Sequence, residues 1–435
     1  MKYIITSIQL NGSVNKNLLT NLLNFAKAQG VDKVLTFVQR GKYVEETIID
    51  PLIEKHNIEL IYKSVKLNAN LRAYDTLILP QQINPFTGMN RKLNRNYSYI
   101  LPSPKIRYES IANTTKYPRA FMSTGMLTRP NYKVDTTAHG RKALEQHQYG
   151  FVYVEIVNNQ IFKAYQIEST DKGDFQHLTR KYYDGKILDS QPEALILGDW
   201  HTGDTDPWVR KESIKMIKEL NPKRLVFHDM FNGHSINHHE KEQLLSQLRN
   251  LRDNRVNLRD EMQGVYDELF GFSEMFPDTS ILVVRSNHDD FLEKYIQHKM
   301  FIDDAQNFLF TCQIIAKIID SKKVPLQEAL SILGELPKNI RFIQQDECYR
   351  IEGVELGMHG HLGANGSKGS PNQFNSLNLK TITGHTHSPK LLENAMVVGT
   401  STHLRLGYTH GASAWLNAHG ILYPNGKYGL LTLLK

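Results

Sequence analysis

The segment 194–204 constrains the fold more than any other part of the chain. It begins with the apolar run ALIL at 194–197, which is typical of a buried β-strand, and continues with Gly198, Asp199, Trp200 and His201. Residues two apart on an extended segment point the same way, so Asp199 and His201 can bind one metal ion together. A carboxylate beside an imidazole suits manganese, zinc or iron. Taken alone, an Asp-x-His tripeptide often arises by chance.

Four further clusters repeat this pattern of an apolar run followed by polar ligand types. They are His228-Asp229, Ser286-Asn287-His288-Asp289, His359-Gly360-His361 and Gly384-His385-Thr386-His387. Open α/β sheets build their sites at the carboxyl ends of strands, which is where these clusters are predicted to lie. A single histidine is usually an ordinary surface or core residue, but five such clusters indicate a metal centre.

The order of the clusters resembles that of the calcineurin-like metallophosphoesterase superfamily, over about residues 194–405. The resemblance implies an α/β fold built on a two-sheet β-sandwich flanked by helices, with a dinuclear metal centre at the strand ends. Two turn positions depart from the usual pattern. His228 stands where the family usually has glycine before Asp229, and Ser286 stands where it usually has glycine before Asn287. Both departures concern local backbone shape rather than ligands.

The resemblance also implies a role for each polar residue. The first metal would be held by Asp199, His201 and His387, the second by Asn287, His359 and His385, and Asp229 would bridge the two. His288 would lie beside the phosphate, and Asp289 would orient His288. The implied cofactors are two divalent metal ions, with Mn2+ expected first and Zn2+, Fe2+ and Mg2+ as alternatives. Two such ions can activate a water for in-line attack on phosphorus, and His288 can donate a proton to the leaving oxygen.

A chain of 435 residues exceeds the usual size of one domain. Alternating strand and helix patterns predict an N-terminal α/β accessory domain over 1–190, which ends in a polar linker at 169–190. The metallophosphoesterase domain is predicted over 191–435, with helical insertions at 236–272 and 291–335.

A basic segment in the first domain is the predicted nucleic-acid contact. Within 91–142 there are eleven Lys or Arg residues against two acidic ones, with tyrosines interleaved. Basic groups neutralise phosphates and aromatic faces stack on bases, so Arg91, Lys92 and Arg95 are candidate substrate-binding residues. The alternative is a solvated loop region whose tyrosines merely pack.

The first insertion carries a heptad-like pattern over 240–270. Its apolar residues follow spacings of 4, 3, 7, 4, 3 and 4: Leu244, Leu248, Leu251, Leu258, Met262, Val265 and Leu269. Together they predict one helix of about 30 residues, about 45 Å long. The helix either forms a homo-oligomer or bends into a hairpin that packs on its own domain.

Charge and composition limit the partners. The formal net charge of +7 allows a polyanionic partner without requiring one. Two cysteines argue against a disulfide scaffold, and no apolar run approaches the roughly 20 residues of a membrane span. We therefore expect a cytoplasmic protein without a membrane partner, located in the host cytoplasm if a virus encodes it.

Three functions fit these observations. The first is a metal-dependent DNA nuclease, a phosphodiesterase with DNA as its substrate, which the metal ligands, the basic segment and the positive charge favour. The second is a phosphatase that acts on phosphoproteins or small phosphate esters, because the same centre serves both reactions. The third is a non-catalytic DNA-binding scaffold, which the complete ligand set argues against.

Overall fold

The computed structural model describes residues 1–39, 48–132, 138–238, 243–321, 323–406 and 409–435, which form a mixed α/β fold with several sheets. Its strands are β1 (Lys2–Gln9), β2 (Lys33–Gln39), β3 (Glu59–Ile61), β4 (Val65–Lys66), β5 (Leu71–Ala73), β6 (Ser98–Leu101), β7 (Tyr108–Ile111), β8 (Arg119–Ser123), β9 (Gly150–Ile156), β10 (Phe162–Glu168), β11 (Phe175–His177), β12 (Arg180–Tyr183), β13 (Lys186–Asp189), β14 (Ala194–Ile196), β15 (Arg224–Phe227), β16 (Ser280–Val284), β17 (Ile340–Ile343), β18 (Arg350–Ile351), β19 (Val354–Glu355), β20 (Lys380–Thr383), β21 (Lys390–Leu391), β22 (Ala395–Val397), β23 (Ala418–Leu422) and β24 (Tyr428–Thr432). Its helices are α1 (Lys16–Gln29), α2 (Pro51–Lys55), α3 (Met89–Lys92), α4 (Ala138–Glu145), α5 (Pro207–Leu220), α6 (Leu244–Arg252), α7 (Leu258–Met275), α8 (Asp289–Gln297), α9 (Phe308–Ser321), α10 (Pro325–Leu333) and α11 (Pro371–Asn375), with short 3-10 turns at Met300–Asp303 and Ala364–Gly366.

Two sheets carry the predicted ligand clusters. The six-stranded sheet has the order β17-β16-β15-β14-β23-β24, and its strands β14 to β17 run parallel. The ten-stranded sheet has the order β18-β19-β20-β22-β21-β7-β8-β6-β5-β4, and β19 and β20 are parallel neighbours. Parallel strands end at the same edge of a sheet, so each sheet gathers its own clusters at one edge.

The ten-stranded sheet crosses the domain boundary that the sequence predicts near residue 190. Strand β7 pairs antiparallel with β21, with Tyr108 opposite Leu391 and Glu109 opposite Lys390. Strands from 65–123 therefore extend a sheet whose other half comes from 350–397. The predicted boundary therefore runs through one sheet, because the edge of β21 pairs with β7 from the first part of the chain. The predicted linker is also structured, since 175–189 form the three-stranded sheet β11-β12-β13.

The sequence predicts strands at 3–10 and 34–38, helices at 15–29 and 44–56, and a β-hairpin over 151–167. The first 39 residues and the hairpin follow this prediction. Strands β9 and β10 pair antiparallel beside β1, in a five-stranded sheet of order β10-β9-β1-β2-β3. Helix α1 ends at Gly30, whose φ of 62° is the left-handed conformation typical of a helix C-terminus. The helix predicted after residue 44 falls partly outside the described residues, and its described part is α2.

A single buried apolar cluster joins the three large sheets. It contains Val152 of the five-stranded sheet, Ile196 and Val226 of the six-stranded sheet, and Ile382 and Met396 of the ten-stranded sheet. Each of these side chains is at most 1% exposed. The strand ends that carry the ligands are thus held by a shared core.

The insertion at 236–272 is two helices in its described part, rather than the one long helix predicted. Residues 239–242 lie outside the described residues, and the helix breaks between α6 and α7. Asn254 adopts a φ of 55°, and the Asn257 side chain accepts hydrogen bonds from the N–H groups of Arg259 and Asp260, which starts α7. The break falls at the one polar position of the heptad pattern, Arg255.

The two helices of this insertion differ in burial. In α7, Leu258, Met262, Val265 and Leu269 are fully buried against the six-stranded sheet's outer core. In α6, Leu244, Leu248 and Leu251 are each more than half exposed. Of these two helices, only α7 packs on its own domain. In its described part, the second insertion at 291–335 contains most of α8 and the whole of α9 and α10. Among the described residues no helix combines the length and apolarity that a membrane span requires.

Candidate metal centre

The five clusters lie just beyond strand ends, as the sequence predicts. Asp199 and His201 follow β14, Asp229 follows β15, and Asn287 follows β16. In the ten-stranded sheet, His359 follows β19, and His385 and His387 follow β20. The two edges face each other closely enough for side chains from both sheets to touch.

Four of these side chains form a buried cluster that is suited to a metal ion. Asp199, His201, Asp229 and His387 each offer one ligand atom, and the four atoms lie within 4.8 Å of one another. The His387 Nε2 atom is 3.2 Å from Asp199 Oδ2 and 3.0 Å from His201 Nε2. Two imidazoles and two carboxylates at this spacing are a ligand set for a divalent transition metal.

The remaining predicted ligands form a second group beside the first. His359 Nε2 lies 3.1 Å from Asn287 Oδ1, and His385 Nδ1 lies 3.0 Å from the same oxygen. Asp229 contacts both groups, because its Oδ2 is 3.2 Å from His359 Nε2 and 3.4 Å from His201 Nε2. All seven predicted ligands therefore lie together.

Unsatisfied oxygen atoms support a cation at this place. Asp199 Oδ1 and Asp229 Oδ1 are buried and accept no hydrogen bond from the described residues. Burying a carboxylate oxygen without a partner is costly, and a bound cation removes that cost. Gly384 permits the arrangement, since a Cβ atom at this position would overlap Asp199 Oδ1. The donor set thus fits a divalent metal.

Four of the candidate ligand residues adopt a left-handed backbone conformation. The φ angles are 50° at His201, 49° at Asp229, 76° at His385 and 56° at His387. Non-glycine residues rarely adopt this conformation, which costs on the order of 1–3 kcal/mol each. Such strain clusters at functional sites, where the surrounding structure holds the side chains in a required direction.

Burial and mutual charge shift the pKa values of the carboxylates in opposite directions. Burial and the neighbouring Asp229 charge raise the pKa of Asp199 well above its usual range. Burial also opposes ionisation of Asp229, but His359, His288 and His201 hold its pKa well below the usual range. Two buried carboxyl groups so close together compete for one negative charge. A divalent cation between them would relieve that competition.

Most of the candidate ligand histidines are neutral, which is the form that binds metal. Burial lowers the pKa of His385 and of His387 to about 4, and it lowers that of His201 well below its usual range. His359 differs: burial favours the neutral ring, but the Asp229 carboxylate raises its pKa.

His288 lies at the edge of this centre. Its ring centroid is 4.7 Å from that of His201, and its Nδ1 is 2.6 Å from the Asn232 carbonyl oxygen. A carbonyl only accepts, so Nδ1 carries the proton and donates it to Asn232. Nε2 is therefore the ring nitrogen that can give or take a proton.

Asp289 affects His288 through the backbone rather than by touching its ring. Its Oδ2 accepts a hydrogen bond of 3.0 Å from the Ser286 N–H, which fixes the turn that carries Asn287 and His288. Burial raises the pKa of Asp289 to about 8. The contact that orients the imidazole comes from Asn232, which sequence reasoning did not find.

Two further histidines next to the ligands had no predicted role. His228 is fully buried, and its Nδ1 lies 3.4 Å from His359 Nδ1. The His361 ring centroid is 5.4 Å from that of His359, and both of its nitrogens lack hydrogen-bond partners among the described residues. The signal for both was present in the sequence, because each lies within two residues of a predicted ligand.

The three candidate substrate-binding residues of the basic segment lie away from the metal cluster. Arg91, Lys92 and Arg95 are exposed on and just after α3, next to β6. Strand β6 lies five positions from β20 in the ten-stranded sheet, about 24 Å at the usual strand spacing. Three of the eleven basic residues are buried and bond protein groups: Lys105, Arg107 and Arg119. Lys133 and Asp135 lie outside the described residues.

The chain is similar in sequence to a phage protein. No protein-family model matches it. It is 29% identical over 460 residues to protein A1 of Escherichia phage T5, and the match covers 99% of this chain and 81% of that protein. A crystal structure of Chaetomium thermophilum Vps29 shares 15% identity, covers 40% of this chain and 92% of its own, and has a TM-score of 0.22.

Proposed function

We propose that this protein is a metal-dependent DNA nuclease of the calcineurin-like metallophosphoesterase type. The observation that carries the proposal is the position of Asp229, whose Oδ2 lies within 3.4 Å of His201 Nε2 and within 3.2 Å of His359 Nε2. One carboxylate shared by two ligand groups is the arrangement that a dinuclear centre needs.

Seven side chains would hold the two metal ions. Asp199, His201 and His387 would take the first, Asn287, His359 and His385 the second, and Asp229 both. Manganese suits this mixture of oxygen and imidazole donors, with zinc, iron and magnesium as alternatives. When bound, the pair supplies Lewis-acid activation of water and neutralises charge on the phosphate.

The chain's own residues supply proton transfer. His288 Nε2 is available because Nδ1 is committed to the Asn232 carbonyl oxygen. In its protonated form, the ring would donate that proton to the leaving oxygen of the ester. Asp289 would hold the turn that aims the ring.

Hydrolysis assays test this function. The metal-free protein, with and without added Mn2+, would be given plasmid DNA, a chromogenic phosphodiester and a chromogenic phosphomonoester. We expect Mn2+-dependent cleavage of DNA and of the diester. Turnover of the monoester alone would support the phosphatase alternative, and DNA binding without any hydrolysis would support the scaffold alternative.

A further inference from the structure

A polar cleft opens beside His288 and leads away from the candidate metal centre. It encloses about 570 Å3 and lies between α6, the loop after β15 and the segment around Arg405. His288 and Phe291 form part of its wall, so the cleft and the centre share a boundary. We call it the α6 cleft.

The α6 cleft is lined by one face of α6. Gln243, Ser246, Asn250 and Asp253 all border it, and their spacings of 3, 4 and 3 describe one side of a helix. The exposed leucines Leu244, Leu248 and Leu251 are not among its lining residues. The face that α6 turns toward the centre is therefore polar.

Two exposed arginines in this cleft, Arg249 and Arg405, form no ion pair among the described residues, although Asp253, the partner of Arg252, is close enough to Arg249 to interact with its charge. Arg249 makes only long hydrogen bonds, of 3.5 Å to the Leu245 carbonyl and 3.4 Å to Ser246 Oγ. Arg405 donates to the Gly411 carbonyl at 2.8 Å. The cleft's other two arginines are paired: Arg252 with Asp253 and Arg255 with Asp204.

A chain of contacts ties this cleft to His288. Arg255 Nη1 donates to Asp204 Oδ1 at 2.6 Å, and the Asn232 side-chain amide donates to Asp204 Oδ2 at 2.7 Å. The carbonyl of Asn232 in turn accepts from His288. The connection between α6 and α7 and the ring of His288 are thus fixed relative to each other.

A second and larger cavity, beside His359 and His361, lacks comparable groups. It encloses about 950 Å3 and is bordered by His359 and His361. Its arginines are in ion pairs: Arg285 with Asp290 and Glu293, and Arg350 with Glu355. Among the described residues that line the two cavities, the arginines outside ion pairs are Arg249 and Arg405 of the α6 cleft.

We infer that the α6 cleft binds the phosphate backbone of the DNA strand that flanks the scissile phosphodiester, with Arg249 and Arg405 contacting its phosphates. The inference rests on the proposed nuclease function. Guanidinium groups bind phosphate oxygens by charge-assisted hydrogen bonds, and backbone contacts of this kind position a strand without reading its sequence. A small phosphate ester would need only the metal centre, so the cleft matters for a polymeric substrate.

The test compares two double variants that each remove two positive charges. The first variant combines Arg249→Ala and Arg405→Ala. The second variant, which is the control, combines Lys27→Ala and Lys163→Ala. The two lysines of the control are exposed and lie on α1 and β10, in the N-terminal part of the chain. For each protein, kcat/KM on duplex DNA is measured against salt concentration, alongside hydrolysis of a chromogenic phosphodiester. The arginine pair should lower kcat/KM on DNA about tenfold or more and make the log–log salt slope shallower by about 1.8, because two phosphate contacts are lost. Hydrolysis of the small diester should stay at the wild-type level, and the lysine pair should change neither quantity.

Each contrary outcome has a distinct meaning. A wild-type salt slope in the arginine variant, while the wild type cleaves DNA, would overturn the inference and leave the nuclease function intact. Equal loss on DNA and on the small diester would also overturn it, because the arginines would then support the centre itself. A third variant replaces Arg91, Lys92 and Arg95 with alanine. If its salt slope becomes shallower while that of the Arg249→Ala and Arg405→Ala double variant does not, the DNA strand runs along the ten-stranded sheet instead. A wild type that hydrolyses small esters but not DNA would refute the nuclease function.

Discussion

Asp229 is the residue on which the candidate centre depends most. It is 1% exposed, contacts histidines from both ligand groups, and has one oxygen without a hydrogen bond from the described residues. Its left-handed backbone aims the carboxylate between the two sheets. A cation bound here would give a partner to the oxygen that the neighbouring histidines leave without a hydrogen bond.

Replacing Asp229 with alanine should remove at least one metal ion and abolish activity. A change in the outer shell of a metal site usually costs about 10–100-fold, so loss of a shared ligand should exceed that. Elemental analysis of the variant measures bound metal, and Asp229→Asn provides a control of similar size. Two metals retained per chain in the alanine variant would rule out the bridging role.

Replacing His288 with alanine should reduce the rate while the metal content stays unchanged. The ring touches His201 but bonds the Asn232 carbonyl, so it is not needed to hold a cation. General acid catalysis typically contributes about 10²–10⁴-fold, which sets the expected loss on DNA. Wild-type turnover by this variant, with metal content confirmed, would exclude proton transfer by His288.

At the scale of single residues, the sequence predicted which side chains lie close together. It did not predict the hydrogen bonds and backbone conformations that fix their positions. The order of acidic, amide and imidazole residues after apolar runs, through the family resemblance that it carries, grouped all seven candidate ligands. The contact between His288 and the Asn232 carbonyl could not be predicted, because it involves a main-chain atom 56 residues away. The left-handed conformations at His201 and His387 were equally hidden, since only tertiary packing imposes them on non-glycine residues.

At the scale of secondary-structure elements, α6 and α7 show that hydrophobic periodicity does not predict burial. Their leucines fit one heptad pattern, yet those of α7 are buried and those of α6 are exposed. Periodicity reports which residues share a face and does not report whether a partner covers that face. The structure of the insertion therefore depends on the break near Asn254, and in the sequence this break is marked only by the polar heptad position Arg255.

Two matched substitutions test this difference in burial. Leu269→Ala should lower the free energy of unfolding by about 2–5 kcal/mol, because it removes a fully buried side chain and leaves a cavity. Leu248→Ala should change it by no more than about 0.5 kcal/mol, because that side chain is 52% exposed. Denaturant unfolding of both variants measures the difference, and equal losses would mean that α6 is packed in solution.

The exposed face of α6 also limits how the chain can self-associate. In the described part of the insertion, the leucines of α7 already pack internally, so a homo-oligomer would use the exposed leucines of α6: Leu244, Leu245, Leu248 and Leu251. We propose a second copy of the chain as the partner for this face. A molar mass of 50.0 kDa in solution, the mass of one chain, would contradict that proposal.

For the molecule as a whole, local sequence patterns located many strands but not the sheet that they build. The hairpin β9–β10 was predictable because its strands are neighbours in the chain. The pairing of β7 with β21 joins residues about 280 positions apart, and strands this short carry little pattern of their own. A boundary drawn from changes in composition therefore missed that the two halves share a sheet.

The shared sheet makes a specific prediction for a truncated chain. Residues 191–435 expressed alone should not fold cooperatively, although they contain every predicted metal ligand. Without the first 190 residues, the edge of β21 loses its partner β7, and the common apolar cluster loses side chains such as Ile100, Met122 and Val152. An exposed strand edge beside an uncovered apolar surface favours aggregation over folding. Thermal unfolding followed by circular dichroism compares the fragment with the full chain, and the full chain cut near residue 190 after folding provides the control. A soluble fragment that unfolds cooperatively and retains metal would show that the second half is an independent domain, as the sequence alone predicts.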